Sequence, residues 1–239
     1  MTKNTSKKDT VKQMFDNIAP VYDFMNHFLS FGIDKLWRKK LRRLVAKQNP
    51  ETIIDIATGT GDLAIELSKT NAKKITGIDI SRKMLDIAEK KVLKRKLAKR
   101  ISLRKEDGEN ISFSPESFDA ASVAFGIRNF ENIELGLNEV FRILKPGGMF
   151  YILEFGMPRN WFVRGVYKIY FVKLLPFIGK IFSKDKKAYS YLPKSVEKFI
   201  YGDEFVDILK NAGFENVRYR KLSMGITYLY HATKPTSSR

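Results

Sequence analysis

A chain of 239 residues, 44% hydrophobic and 13% aromatic, is long enough for one large domain or two small ones with a well-buried core. It has no cysteine and only two histidines, His27 and His231, which excludes disulfides, thiolate chemistry and a histidine-rich metal site, so no metal is expected. The formal net charge of +18, from 44 Lys and Arg against 26 Asp and Glu, draws nucleic acid, anionic lipid or acidic substrates and is silent about fold.

The opening stretch MTKNTSKKDT is polar and basic with no apolar core behind it, so no secretory signal is expected. The first 50 residues have helical periodicity. Asp34 is placed to cap DKLWRKKLRRLVAKQ, in which Leu36, Trp37, Leu41, Leu44 and Val45 recur on one face. From residue 52 strands alternate with helices. TIIDIA (52–57), KITGIDI (74–80), ISLRKED (101–107), SFDAASVAF (117–125) and MFYILEF (149–155) have the character of strands. Between them lie a helix over LAIELSK (63–69), one after Ser81 as cap, and one over 132–144 closed by KPGG, with Gly147 supplying a left-handed stop. Such alternation predicts a parallel sheet covered on both faces.

The last third breaks the rhythm. WFVRGVYKIYFVKLLPFIGKIF (161–182) is apolar but interrupted by Arg164, Lys168, Lys173, Pro176 and Lys180, short of the ~20 apolar residues a membrane span needs. It is expected to be an amphipathic lid or a core helix. A helix near 194–211 follows, and then ENVRYRKLS and ITYLYHAT, two strands without a helix between them, predict an antiparallel edge.

The loop DIATGTGDLA after the first strand fits two cofactors. Gly59, Gly61 and Ala64 satisfy G-x-G-x-x-G/A, and Asp79 lies near the ~20-residue spacing of a ribose-binding acid in dinucleotide sites. A pyrophosphate would rest on the helix N-terminus, where Asp62 and the nearby Asp55 would repel it. Those carboxylates suit an ammonium and a sulfonium instead. Asp79 ends the second strand, and Glu106, Asp107 and Gly108 follow the third. Acids at three successive strand ends, where an open parallel sheet binds its ligand, point to S-adenosylmethionine.

Along nearly its whole length the sequence resembles the C-methyltransferases of menaquinone and ubiquinone biosynthesis, and among them the menaquinone branch. The matching pieces are FDNIAPVYDFMNHFLSFGIDKLWRKK (15–40), DIATGTGDLA, GIDISRKML, SFDAASVAFGIRNF, EVFRILKPGGMFYILEF, YSYLPKSVEKF (189–199) and AGFENVRYRKLSMGI. Three positions depart from the family pattern. Thr58 replaces a loop glycine, ISF (111–113) replaces an LPF segment, and Met224 stands where glycine is usual. The resemblance implies a Rossmann-like class I S-adenosylmethionine-dependent methyltransferase. Its sheet would be mostly parallel and seven-stranded, with an antiparallel C-terminal strand and helices on both faces. It implies a helical substrate-side cap over 1–50 and a methyltransferase domain over 51–239, with 157–193 inserted as an amphipathic or lid segment. The implied reaction is C-methylation of a polyprenylated quinol ring, most specifically demethylmenaquinol to menaquinol. The benzoquinol precursor of ubiquinone is the alternative.

The candidate cofactor-binding residues are Asp55, Gly59, Thr60, Gly61, Asp79, Ile80, Asp107 and Gly108, of which Thr60, Asp79, Asp107 and Gly108 are carried over from the family. The candidate catalytic residues are Arg128, Asn129 and Tyr22, with Asp23 beside Tyr22 as a further candidate for closing the site. Arg128 follows the fourth strand, where a guanidinium is costly to desolvate unless something needs it. In the implied reaction it faces the quinol oxygen and stabilises a phenolate, with Asn129 orienting a water or the second ring oxygen. An ion pair with Asp23 or another nearby acid, merely holding the loop, is the other role open to it.

An RNA methyltransferase would suit the charge, but AFGIRN replaces the Asn/Asp-Pro-Pro-aromatic segment of base amino-group methyltransferases, and no nucleic acid is expected. The expected partners are a polyprenylated naphthoquinol and an anionic membrane surface, the latter met by Lys35, Arg38, Lys39 and Arg42 with Lys168, Lys173 and Lys180. The expected location is the cytoplasmic face of the membrane, as a peripheral protein; a homodimer is left open.

Overall fold

In the computed structural model, which describes residues 6–169 and 186–236, the apolar runs form the strands β1 (Thr52–Ile56), β2 (Lys74–Asp79), β3 (Ile101–Lys105), β4 (Phe118–Ala124), β5 (Leu144–Phe155), β6 (Glu215–Leu222) and β7 (Thr227–Thr233). They make one seven-stranded sheet in the order β3-β2-β1-β4-β5-β7-β6. The first five strands are parallel, and β7 runs antiparallel to both β5 and β6, as the sequence predicts. Strand periodicity divides the core in two. Ile54, Ile56, Ile78 and Val123 pack on one face of the sheet, and Ile53, Ile75, Ala120 and Leu153 on the other. The strand order reverses between β1 and β4, which opens a crevice above their carboxyl ends.

The helices are α1 (Lys7–Leu29), α2 (Ile33–Lys47), α3 (Asp62–Leu67), α4 (Arg82–Lys94), α5 (Ile133–Ile143), α6 (Trp161–Ile169), α7 (Lys186–Lys198) and α8 (Asp203–Asn211). Ser81 caps α4 as expected, its Oγ accepting the Met84 N–H at 3.1 Å. Asp34 does not cap α2. The chain reverses between α1 and α2 through left-handed backbone at Phe31 (φ 50°) and Gly32 (φ 73°), so the cap falls to the glycine. Asp34 instead sits buried in the first turn, ion-paired to Arg38.

Two further expectations are corrected. The helix near 194–211 is two helices, α7 and α8, parted at Gly202, whose φ of 75° and ψ of −134° only glycine adopts readily and whose N–H donates to the Tyr230 hydroxyl at 2.7 Å. Gly147 is left-handed (φ 77°), yet it lies within β5 rather than ending α5. There its N–H donates to the Lys234 carbonyl at 2.9 Å, beside a register shift in the β4–β5 pairing.

Of the apolar segment 161–182, residues 161–169 form α6 and the remainder lies outside the described residues. Residue 193, the expected end of the lid segment 157–193, falls inside α7, which packs against α1 and the turn at 127–129. Among the described residues no helix is long and apolar enough to cross a membrane.

Candidate active site

The loop leaving β1 is held by its own backbone, by the buried Asp55 and by the half-buried Asp79. Thr58 N–H donates to the Ile78 carbonyl at 2.9 Å, tying the loop to β2. Gly61, left-handed at φ 80°, begins α3, and a β-carbon there would stand 3.0 Å from Ala88 Cβ, so glycine lets the loop press onto α4. Asp55 accepts hydrogen bonds from Thr58 Oγ1 at 2.7 Å and Ser122 Oγ at 2.8 Å. Burial pushes its carboxyl up to about 6 against those bonds. Asp79 at the end of β2 accepts the N–H groups of Gly59 and Ser81, both at 2.8 Å, and desolvation pushes it up to about 6 as well.

Above these strand ends lies a cavity of about 690 Å³. Its wall includes Gly59, Asp79, Ile80, Asp107 and Gly108, five of the eight residues expected to hold a cofactor. Asp55 and Thr60 line a smaller space of about 360 Å³ at the base of the loop. Gly61 lines neither; its role is the turn. Carboxylates at one end and the side chains of Met84, Ile80 and Phe130 elsewhere on the wall suit a ribose with an adenine packed between apolar groups.

Asp62 does not carry the free negative charge that the loop sequence suggests. It is ion-paired with Lys91, and Arg38 Nη1 and His27 Nε2 lie 3.7 and 3.5 Å from it. Burial works to raise its carboxyl, but Arg38 and Lys91 outweigh burial and hold it below the usual range. Of the two acids expected to repel a pyrophosphate, Asp62 is thus already compensated by cations, which leaves Asp55. His27, Asp34 and Asp62 bring ligand-type atoms within 4.8 Å of one another, but the Arg38 guanidinium already sits among them.

The N-terminal helices close over the crevice. Asp23 of α1 accepts from Thr60 Oγ1 at 2.5 Å and pairs with Lys91 at 2.8 Å, fixing α1 to the cofactor loop. At the other end of α1, Lys8 pairs with Asp107 at 2.5 Å. Neither Lys8 nor Lys91 stands out in the sequence, because lone lysines in a lysine-rich chain carry no pattern.

A second cavity of about 750 Å³ adjoins the first, and both are walled by Phe15, Tyr22 and Phe125. Arg128 faces this second cavity from the short turn Ile127–Asn129. Its Nη1 donates to Glu154 Oε1 at 2.6 Å and to the Phe125 carbonyl at 2.5 Å, and its Nε donates to Ser195 Oγ at 3.3 Å. The ion pair open to Arg128 is thus with Glu154 at the end of β5, not with Asp23. Glu154 is wholly buried; burial pushes its carboxyl up, only partly offset by the guanidinium. Among the described residues no acceptor engages Arg128 Nη2.

Asn129 lines the first cavity rather than the second, and its Oδ1 accepts from the Tyr191 hydroxyl at 3.1 Å. Arg128 and Asn129, adjacent in sequence, therefore serve different chambers. Tyr22 stands where the chambers meet, its hydroxyl raised by desolvation. Glu154, Tyr191 and Ser195 hold this constellation, and all three lie far from 128 in sequence, where spacing gives no hint of them.

The model of the ubiE/COQ5 methyltransferase family matches residues 1–234. A demethylmenaquinone methyltransferase of Bacteroides fragilis is 44% identical over 229 residues, covering 95% of this chain and 94% of that protein. A ubiquinone/menaquinone biosynthesis C-methyltransferase of Geotalea daltonii is 42% identical over 236 residues, 98% of this chain and 100% of that protein. Among solved structures, a SAM-dependent methyltransferase of Thermotoga maritima, described as a possible histamine N-methyltransferase, superposes with a TM-score of 0.63 at 24% identity, covering 93% of this chain and 99% of that one, a likeness of fold. With strand-end acids around one cavity, a buried arginine on the next and a match along almost the full length, this chain belongs to the ubiE/COQ5 methyltransferase family.

Proposed function

We propose that this protein transfers a methyl group from S-adenosylmethionine to a ring carbon of a polyprenylated quinol, converting demethylmenaquinol to menaquinol. The observation that carries the proposal is the pairing of two chambers through Tyr22 and Phe125, one walled by Asp79 and Asp107 and the other mostly apolar, with Arg128 and the ion-paired Arg38 and Asp34 in its wall. When bound, S-adenosylmethionine supplies an electrophilic methyl on sulfonium. Asp79 is placed to accept from ribose hydroxyls, and Ile80, Asp107 and Gly108 to receive the adenine. Asp55 and Thr60 shape the loop beneath, and Gly59 and Gly61 give it its turn.

The ring carbon becomes nucleophilic as the neighbouring phenol loses its proton. Arg128 stabilises the phenolate from Nη2, while Glu154, Phe125 and Ser195 fix its other donors so that the cation needs no reorganisation. Water reaching the junction of the two chambers receives the phenol proton and then, as the new carbon–carbon bond replaces carbon–hydrogen, the ring proton; the Tyr22 hydroxyl, kept protonated by desolvation, can donate a hydrogen bond to the phenolate. Asn129 acts from the cofactor side, steadied by Tyr191. The test is incubation with S-adenosylmethionine and a demethylmenaquinol, read by mass spectrometry of the extracted quinone. A product gaining one methyl supports the reading, and no product with a competent cofactor site defeats it. The Geotalea daltonii relative's name favours trying the benzoquinol precursor of ubiquinone beside it.

We further propose contact with an anionic membrane surface on its cytoplasmic face. α2 exposes Lys35, Lys39, Lys40 and Arg43 beside the exposed apolar side chains of Ile33 and Leu36, which supports the reading. Arg38 and Arg42 leave the expected basic set. Arg38 is buried against Asp34 and Asp62, and Arg42 pairs with Glu66 at 3.0 Å. Lys173, Lys180 and the Lys168 side chain lie outside what the structure describes.

A further inference from the structure

A groove of about 1160 Å³ is bounded by α2, α3 and the C-terminal ends of α1 and α4. Six cationic side chains line it against two acids, Asp62 and Glu66. Both acids are already answered within the protein. Asp62 has Lys91, Arg38 and His27, while Glu66 accepts from Arg42 Nε at 3.0 Å and pairs with Lys69. That leaves Lys35, Lys39 and Arg95, whose side chains have no partner among the described residues.

Arg42 is held ready among them. Its side chain is only 19% exposed, Glu66 fixes it through Nε, and neither Nη has an acceptor among the described residues. Lys35, Lys39 and Arg42 recur at i, i+4 and i+7 and so share one face of α2. Arg95, at the end of α4, brings a further cation from a different wall. Like charges gathered in a concavity repel one another, and their field is focused there rather than dispersed into solvent. A guanidinium fork flanked by ammonium groups is an arrangement suited to phosphate, the arginine donating in pairs and the lysines acting as point charges.

We infer that this groove seats the phosphate of an anionic phospholipid headgroup. The inference rests on the membrane reading given above and makes that contact a single saturable site rather than a charged face. Two features select a lipid among phosphate-bearing partners. No Phe, Tyr or Trp lines the groove, so a nucleic acid finds no ring on which to stack a base. Leu36, 57% exposed, stands in its wall, and Ile33, 38% exposed, lies one turn before it, so hydrocarbon adjoins the cations as at a bilayer interface. Arg38 walls both this groove and the Arg128 cavity, so a headgroup bound here brings the ring chamber up to the bilayer.

The test sets two variants of equal charge change against each other in the full chain. Lys39→Gln/Arg95→Gln removes two cations from the groove, and Lys40→Gln/Arg43→Gln removes two that lie outside it; all four side chains are exposed. Calorimetry with soluble dihexanoyl phosphatidylglycerol should show one saturable site. The groove variant should weaken it by about tenfold or more and the other by about threefold or less. Vesicles of phosphatidylglycerol in phosphatidylcholine should rank the two variants in the same order. Equal weakening in both would mean that total charge makes the contact, which overturns the site and leaves the membrane reading standing. Inorganic phosphate or glycerol 1-phosphate binding the wild type as tightly as the lipid would make this a site for a free phosphate, and the lipid assignment would fall. A short oligoribonucleotide that binds more tightly than the lipid, and loses affinity in the groove variant alone, would give the groove to nucleic acid and overturn it too. A wild type that binds neither lipid nor vesicle defeats both the site and the membrane reading.

Discussion

Replacing Arg128 tests its part in the chemistry only if the consequence for Glu154 is reckoned with. Both side chains are buried, and Glu154 has no exposure at all. Arg128→Ala strands that carboxylate, and breaking a buried pair on one side typically costs about 3–5 kcal/mol. Against a total stability of roughly 5–15 kcal/mol, this is a large share. The cost depends on pH in a direction that can be worked out. Burial already raises the Glu154 carboxyl in the wild type, and loss of the arginine raises it further. A carboxyl whose folded pKa lies above its unfolded value takes up its proton more readily in the folded state. Stability is therefore full below the unfolded value, near 4.5, and is lost as pH rises towards and through the folded one. Urea unfolding of Arg128→Ala should show a deficit near 3–5 kcal/mol at pH 8 that shrinks markedly by pH 5. The double variant Arg128→Ala/Glu154→Gln removes the stranded charge and should recover much of the stability at pH 8. If Arg128 acts on the quinol, turnover of the double variant should stay ~10²–10³-fold down although it is folded and binds cofactor. A double variant with full turnover would remove the arginine from the mechanism, and a deficit in the single variant that does not vary with pH would show that Glu154 is not the group left uncompensated.

Asp79→Ala should weaken S-adenosylmethionine by about 1.5–3 kcal/mol in calorimetry, and wild-type affinity should decline below about pH 6, where the Asp79 carboxyl takes up a proton and accepts fewer hydrogen bonds; NADH should show no heat. Cosedimentation with anionic vesicles should be strong at low salt and fade as salt rises, and Lys35→Glu/Lys39→Glu should weaken it by about 1 kcal/mol or more per charge; equal binding to neutral vesicles would mean that hydrocarbon, not charge, makes the contact. Lys8→Ala frees the Asp107 carboxylate of its ion pair and should speed cofactor dissociation in stopped flow by several-fold with little change in thermal midpoint, since a half-exposed pair contributes about 1 kcal/mol or less.

The parts of this molecule legible in its sequence are those written in local patterns. Alternating apolar runs, Ser81 before a helix and acids after successive strands give the sheet, its direction and the cofactor crevice. What local pattern misjudges is charge that has found a distant partner. Asp62 has the appearance of an isolated acid beside GTG until the fold brings Lys91, Arg38 and His27 to it. Arg38 and Arg42 have the appearance of a solvated basic face until Asp34 and Glu66 meet them. The choice of S-adenosylmethionine over a dinucleotide thus leaned in the sequence on one carboxylate that the fold neutralises. Gly32 and Gly202 escaped notice for a different reason: a left-handed cap is set by how sharply the chain must turn, which neighbouring residues do not state.

α1 has a kinetic consequence. The same helix walls both chambers, through Val11 and Phe15 on the cofactor side and Met14, Ile18 and Met25 on the quinol side, and it is latched near its two ends by Lys8 and Asp23, ~22 Å apart along its axis. Raising the helix far enough to exchange the spent cofactor also loosens the wall around the ring, so release of the two products is coupled through the opening of the same two ion pairs.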